Sequence, residues 1–180
     1  MNEKILIASD IHGSAYWCEK LLAFFEKSGA TQLVLLGDLL YHGPRNPLPL
    51  GYDTMATATL LNGYKDKIVA VRGNCDSEVD QMVLDFPILA DYALLPIGGK
   101  TLYLSHGHLP LPPLNETFAI VGGHTHYAEY KRLENGALSL NDGSVALPKL
   151  GKPNGCLLVE GNRLSWINLE TGEAFDTAEL

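Results

Sequence analysis

The chain has 180 residues, is 46% hydrophobic and carries a formal net charge of −8. That length and apolar content suit one domain with a buried core and exclude a disordered chain. The acidic balance excludes a general basic face for nucleic acid or anionic membrane, so an anionic substrate would need a local source of positive charge.

The predicted elements alternate strand and helix in the first half. Lys4 to Ser9 reads as a buried strand, and Ser14 as the cap of a helix running to about Ser28 with Gly29 as its stop. Trp17, Leu21, Phe24 and Phe25 fall on one face of that helix. Thr31 to Leu36 is the second strand, followed by a Pro- and Gly-rich loop to about Gly51. Asp53 to about Tyr64 reads as a helix and Ile68 to Val71 as the third strand. Ser77-Glu78-Val79-Asp80 is a capping box opening a short helix that ends before Pro87.

The second half is mostly strand. Ala93–Ile97 and Thr101–Ser105 flank Gly98-Gly99-Lys100, Glu129–Leu133 and Ala137–Leu140 flank Asn135-Gly136, and Cys156–Glu160 and Arg163–Leu169 flank Gly161-Asn162, three hairpin signals. Phe118 to Gly122 is a further short strand. The layout favours a single α/β domain over residues 1–180, with two sheets packed face to face under outer helices. No run approaches the ~20 apolar residues of a membrane helix. Met1-Asn2-Glu3-Lys4 followed by Ile5-Leu6-Ile7-Ala8 has too short an apolar core for a signal peptide. Cys18, Cys75 and Cys156 are scattered and form no CxxC pair, which fits a reduced, cytoplasmic setting.

Five short clusters carry metal-capable side chains: Asp10-Ile11-His12, Gly37-Asp38, Gly73-Asn74-Cys75-Asp76, Ser105-His106-Gly107-His108 and Gly123-His124-Thr125-His126. Four of them follow an apolar run that reads as a strand, and loops at strand ends are where an α/β sheet gathers side chains from distant parts of the chain. In an extended stretch, Asp10 and His12 would point the same way and could bind one ion. The carboxylate of Asp38 could bridge two cations with its two oxygens, and Asn74 offers a neutral amide oxygen. Each cluster alone has an ordinary reading as a capping or turn residue, or as a pair of surface histidines. All five in one chain with six histidines resist that reading.

In order and composition the clusters resemble the signature D-x-H, GD, GN-x-[DE], H, G-H-x-H of the calcineurin-like metallophosphoesterases. Gly43-Pro44-Arg45-Asn46 and the stretch from Val71 to Met82 look like the YfcE-type bacterial phosphodiesterases within that superfamily. The similarity spans essentially the whole chain. It implies an α/β four-layer α-β-β-α sandwich, with two mixed sheets flanked by helices, around a dinuclear site. By motif position, Asp10, His12 and His126 would hold one metal, Asn74, His106 and His124 the other, and Asp38 would bridge them. Mn²⁺ is the implied metal, with Fe, Zn or Ni as alternatives; the O and N donor set, without thiolate, agrees.

The activity so implied is hydrolysis of a small phosphodiester by attack of a metal-bridging hydroxide, with no protein nucleophile. Two divalent ions outweigh two carboxylates and one hydroxide, which makes a local anion trap in an acidic chain. Arg45 could contact the substrate through parallel hydrogen bonds. Many superfamily members carry His at the position of Cys75, so proton transfer to the leaving group falls to this thiol or to His108, with His42 as a further donor. A thiol is a poor acid unless its pKa is lowered. Asp142 stands where relatives often have Pro in Asn-Pro-Gly-Ser, which predicts a slightly looser loop, and Asp76 is expected to orient its neighbours. Alternatives are a phosphomonoesterase or nucleotide-specific phosphatase of the same superfamily and, less favoured, a protein-interaction scaffold like a retromer subunit. A homodimer or homotetramer is implied by relatives alone. No nucleic-acid or membrane surface is expected.

Overall fold

The computed structural model describes residues 3–180. Met1 and Asn2, where the signal-peptide expectation begins, lie outside the described residues.

Two mixed sheets pack face to face. The first contains β1 (Lys4–Ala8), β2 (Gln32–Leu35), β3 (Ile68–Ala70), β9 (Gly155–Glu160), β10 (Arg163–Asn168) and β11 (Ala174–Glu179), in the order β11-β10-β9-β1-β2-β3. The second contains β4 (Ala93–Ile97), β5 (Lys100–Leu104), β6 (Phe118–Gly122), β7 (Glu129–Arg132) and β8 (Leu138–Asn141), in the order β4-β5-β6-β8-β7. Within the first sheet β1, β2 and β3 run parallel; within the second, β5, β6 and β8 do. The other pairings are antiparallel.

The two-residue period of β1 divides its side chains between two cores. Ile5 and Ile7 enter the layer between the sheets with Val34, Leu36, Leu102, Leu104, Val121 and Trp166. Leu6 and Ala8 face the helical side with Leu33, Leu35, Cys18, Leu21 and Phe25. The helices are α1 (Ala15–Ser28), α2 (Thr54–Asn62) and α3 (Glu78–Gln81). Ser14 caps α1 by accepting Trp17 N–H, Asp53 caps α2 by accepting Ala56 N–H, and Ser77 with Asp80 forms the expected capping box of α3.

These helices cover the first sheet. The outer layer over the second is irregular: Leu109, Pro110, Leu111 and Pro112 lie beside Tyr103 and Phe118. The prolines of that segment lack the N–H that a helix needs. Two details differ from expectation. The first hairpin turns on Gly98 and Gly99 alone, at φ 59° and 78°, and Lys100 already belongs to β5. Strand β11 has no counterpart in the predicted elements; it is a largely exposed edge strand without apolar alternation.

The arrangement positions a site. Each of the five clusters follows the C-terminal end of a strand that takes part in parallel pairing: β1, β2 and β3 in one sheet, β5 and β6 in the other. The two sets of ends lie at the same edge of the sandwich, where helix or loop must leave the sheet and side chains are free to converge.

Candidate metal centre

The backbone at these strand ends is unusual. Six described non-glycine residues have positive φ, and five are cluster residues: Asp10 (56°), His12 (50°), Asp38 (55°), His124 (66°) and His126 (61°). Left-handed conformation at a residue with a Cβ costs about 1–3 kcal/mol and persists only where its surroundings enforce it. Asp and His tolerate it better than most. The prediction that Asp10 and His12 share a direction through strand alternation is therefore corrected: both are left-handed, and Ile11 between them is buried in the helical-side core. A double reversal, and not a pleat, aims both side chains at one point.

Close backbone packing holds the turns. A Cβ on Gly37 would collide with the backbone of Gly73, and one on Gly73 with Asp38. This contact brings the ends of β2 and β3 together. Asp76 sits between them as expected: its Oδ2 accepts N–H from Asp38 (2.8 Å) and Gly73 (2.7 Å), and its Oδ1 accepts from Leu39 (2.9 Å).

Hydrogen bonds fix the tautomers of three histidines. Nδ1 of His12 lies 2.8 Å from the Tyr41 carbonyl, that of His106 2.8 Å from Leu36, and that of His126 2.7 Å from Leu147. A carbonyl only accepts, so each Nδ1 carries the hydrogen, and in the neutral ring Nε2 is a bare lone pair. These lone pairs converge. His12 Nε2 is 3.3 Å from His126 Nε2, and Asp10 Oδ1 lies 3.5 Å from the first and 3.2 Å from the second. Asp10 Oδ1 is buried and has no hydrogen-bond partner, while Oδ2 accepts the Ser9 hydroxyl (2.6 Å) and the His124 N–H (2.9 Å).

A second convergence adjoins the first. Asp38 Oδ2 lies 3.8 Å from His12 Nε2 and 3.5 Å from His106 Nε2, and Asn74 Oδ1 is 3.1 Å from His106 Nε2. Asp38 Oδ1 is taken by Cys75 N–H at 2.8 Å. Only one Asp38 oxygen therefore faces both groups, where two were expected. The His124 ring stands 5.1 Å from that of His106.

Acceptor atoms packed this closely repel unless a cation lies among them. In the bare protein a proton serves. Burial alone lowers His106, but its bond to Asp38 and the charges of Asp10 and Asp38 outweigh this and raise it to about 9. His12 is raised in the same way against its burial, chiefly by Asp10. Burial alone would raise Asp10, yet His12 and His126 hold it far below the usual carboxylate range. The donor set, the fixed tautomers and the orphaned Asp10 oxygen all fit divalent metal.

A cavity of about 450 Å³ opens beside these atoms, lined in part by Asp38, Asn74, Cys75, His124 and His126. Arg45 lines it too, as does Lys149, which no sequence signal had marked. The Cys75 thiol is pushed up to about 12 by burial and by the neighbouring carboxylates, first Asp38. His108 lies off the cavity, its ring 5.4 Å from His106 and 6.3 Å from His124. His42 packs edge-on between Tyr41 and Tyr52, at 4.9 and 5.3 Å. The Asn141–Ser144 loop is not loose: Asp142 and Ser144 are fully buried, and Gly143 N–H bonds Asn141 Oδ1 at 2.9 Å.

Known proteins resemble this chain in sequence and fold. The phosphodiesterase YfcE of Escherichia coli K12 is 46% identical over 170 residues, covering 92% of each chain. The solved structure of that E. coli phosphoesterase superposes with a TM-score of 0.93 at 43% identity, covering 98% of both chains. Vps29 of Entamoeba histolytica, solved in complex with Zn²⁺, shares the fold alone, with a TM-score of 0.61 at 19% identity over 98% of each chain. The calcineurin-like phosphoesterase superfamily domain matches residues 4–163, a span that takes in all five clusters. With its motifs gathered at one edge of the sandwich and that match across most of its length, this chain belongs to the calcineurin-like phosphoesterase superfamily.

Proposed function

We propose that the protein is a metal-dependent phosphodiesterase acting on a small phosphodiester, built as one domain over residues 1–180 and working in the cytoplasm. Among the described residues no helix is long and apolar enough to cross a membrane. The observation that carries the reading is the meeting of lone-pair atoms from Asp10, His12, Asp38, Asn74, His106 and His126 beside a polar cavity. Family membership and 46% identity to a phosphodiesterase support it.

In this reading Asp10, His12 and His126 would hold one ion, Asn74, His106 and His124 would hold a second, Asp38 would serve both, and Mn²⁺ is the first choice. Such a pair, when bound, acidifies water and polarises a phosphoryl group. The protein's own part is orientation. The carbonyls of Tyr41, Leu36 and Leu147 fix each ring, and Asp76 fixes Asp38. Arg45 and Lys149 line the cavity, where they would meet the substrate's phosphoryl oxygens. Cys75, with its thiol at about 12, keeps its proton at neutral pH and gives it up reluctantly.

Arg45 and Lys149 also favour a second reading, a phosphomonoesterase, because two extra cations in the cavity suit a dianionic ester. Purified protein with Mn²⁺ should hydrolyse bis-p-nitrophenyl phosphate faster than p-nitrophenyl phosphate. The reverse order selects the monoesterase. Asp38→Asn should lower turnover by roughly a hundred-fold or more and weaken Mn²⁺ binding; unchanged turnover and binding would remove the metal site from the reaction.

Cys75 predicts a steep dependence on the leaving group. Across diesters of graded leaving-group pKa, rates of the native protein should fall as the leaving group becomes more basic. Cys75→His should flatten that slope and Cys75→Ser should not. A flat native series would mean that no proton donor is wanting.

The metal-free protein should lose stability as pH rises. His106 has an ordinary value of 6.5 and about 9 in the folded chain, so its contribution is complete below 6.5 and disappears as pH climbs through about 9. The shift corresponds to about 3 kcal/mol. Asp10 and Asp38 are ionised throughout that window in both states, and His108 and His124, lowered mainly by burial, act only below it. Chelated protein should therefore melt at progressively lower temperature between pH 6.5 and 9, and saturating Mn²⁺ should flatten the trend. A melting temperature that rises over this range would contradict the arrangement.

A further inference from the structure

Behind the metal centre lies a carboxyl group that the proposed reaction leaves without a task. Asp142 is fully buried, and its Oδ1 lies 2.8 Å from Ser9 Oγ. The same Ser9 Oγ lies 2.6 Å from Asp10 Oδ2. A serine hydroxyl carries one hydrogen. Two ionised carboxylates on one hydroxyl would leave a short oxygen–oxygen contact with no hydrogen in it, inside the protein, where an unmet acceptor is costly. A second hydrogen must therefore lie in the chain.

Position decides which end holds it. Asp10 Oδ2 already accepts the His124 N–H, and Asp10 Oδ1 faces the Nε2 atoms of His12 and His126. With a cation between Asp10 Oδ1 and those nitrogens, whether a metal or the proton of a charged histidine, Asp10 is held as the anion. Asp142 Oδ2, by contrast, is buried with no partner, which suits the carbonyl oxygen of a neutral acid better than a carboxylate. Burial, and next the charge of Asp10, also push the Asp142 carboxyl well above its ordinary range.

We infer that Asp142 is a permanently neutral carboxylic acid whose hydrogen goes to Ser9, so that Ser9 donates its own to Asp10 and aims Asp10 Oδ1 at the metal. Asp142 is thus a positioning residue acting through Ser9, and nothing moves along the chain during a reaction. The fit around it is close: a Cβ on Gly123 would overlap Ser9 Oγ, so the strand end at β6 leaves room for this hydroxyl. The backbone helps as well, with Asp142 N–H donating to Gly122 O at 3.1 Å and Ser144 Oγ donating to Asp10 O at 3.1 Å.

The inference rests on reading Asp10 as a metal ligand, and its test separates the two. Infrared spectra of metal-free protein carrying isotope-labelled aspartate should show a neutral-acid carbonyl band at pH 7. The band should vanish in Asp142→Asn and shift in Ser9→Ala. Mn²⁺ affinity, measured by calorimetry, should be within about two-fold of native in Asp142→Asn, whose amide can still donate to Ser9. It should fall by roughly 10–100-fold in Asp142→Ala and in Ser9→Ala. No neutral-acid band in the native protein overturns the inference even if every variant fails to fold. So does a band that survives Asp142→Asn, or an Asp142→Asn protein that binds Mn²⁺ as weakly as Asp142→Ala. Native protein that shows the band but takes up no Mn²⁺ would instead defeat the metal reading of Asp10 and, with it, the role assigned here.

Discussion

The structure turns on the mutual repulsion of acceptor atoms. Asp10 Oδ1 and the Nε2 atoms of His12 and His126 lie 3.2–3.5 Å apart, and backbone carbonyls on the far side of each ring forbid the tautomer that would relieve them. All three residues, with Asp38 and His124 beside them, also sit in left-handed backbone. The second feature costs free energy in the metal-free fold, and the first does so wherever no proton lies among the acceptors. A bound cation would remove the first cost and offset the second, so metal binding would be coupled to folding.

The sandwich is arranged to bear that cost. Parallel strands of two different sheets end at one edge, and the cores on both sides of β1 are continuous and tightly packed. Gly37 and Gly73 let two of those ends touch, and Asp76 knits them with three hydrogen bonds to backbone N–H. On the other sheet, Gly123 admits Ser9 against β6, and through Ser9 the Asn141–Ser144 loop reaches Asp10. Rigid surroundings thus hold a locally strained cluster, and a cavity with two cations on its wall lies in front of it.

Much of this was legible in the sequence, because hydrophobic period and turn chemistry report local structure directly. The strands from β1 to β10, the capped helices and the glycine turns followed from those rules, and the order of the five clusters carried the family. What escaped depends on tertiary context. Strand β11 has no apolar face to announce it. The shared direction of Asp10 and His12 was expected for the wrong reason, since left-handed turns leave little trace in residue type when Asp and His occupy them. Lys149 is one lysine in a Pro-flanked segment, and only the fold brings it to the cavity. Asp142 in place of Pro suggests a looser loop, but the residue is buried and its carboxyl meets Ser9, more than a hundred residues away in the chain.

The central claim, that these side chains form a cradle for two cations, is tested most directly by a crystal of the protein grown with Mn²⁺ and measured at the manganese absorption edge. The account predicts two anomalous peaks about 3.5–4 Å apart, one among Asp10, His12 and His126, the other among Asn74, His106 and His124, with Asp38 touching both. No peak, or manganese bound elsewhere while these side chains keep their present positions, would contradict it.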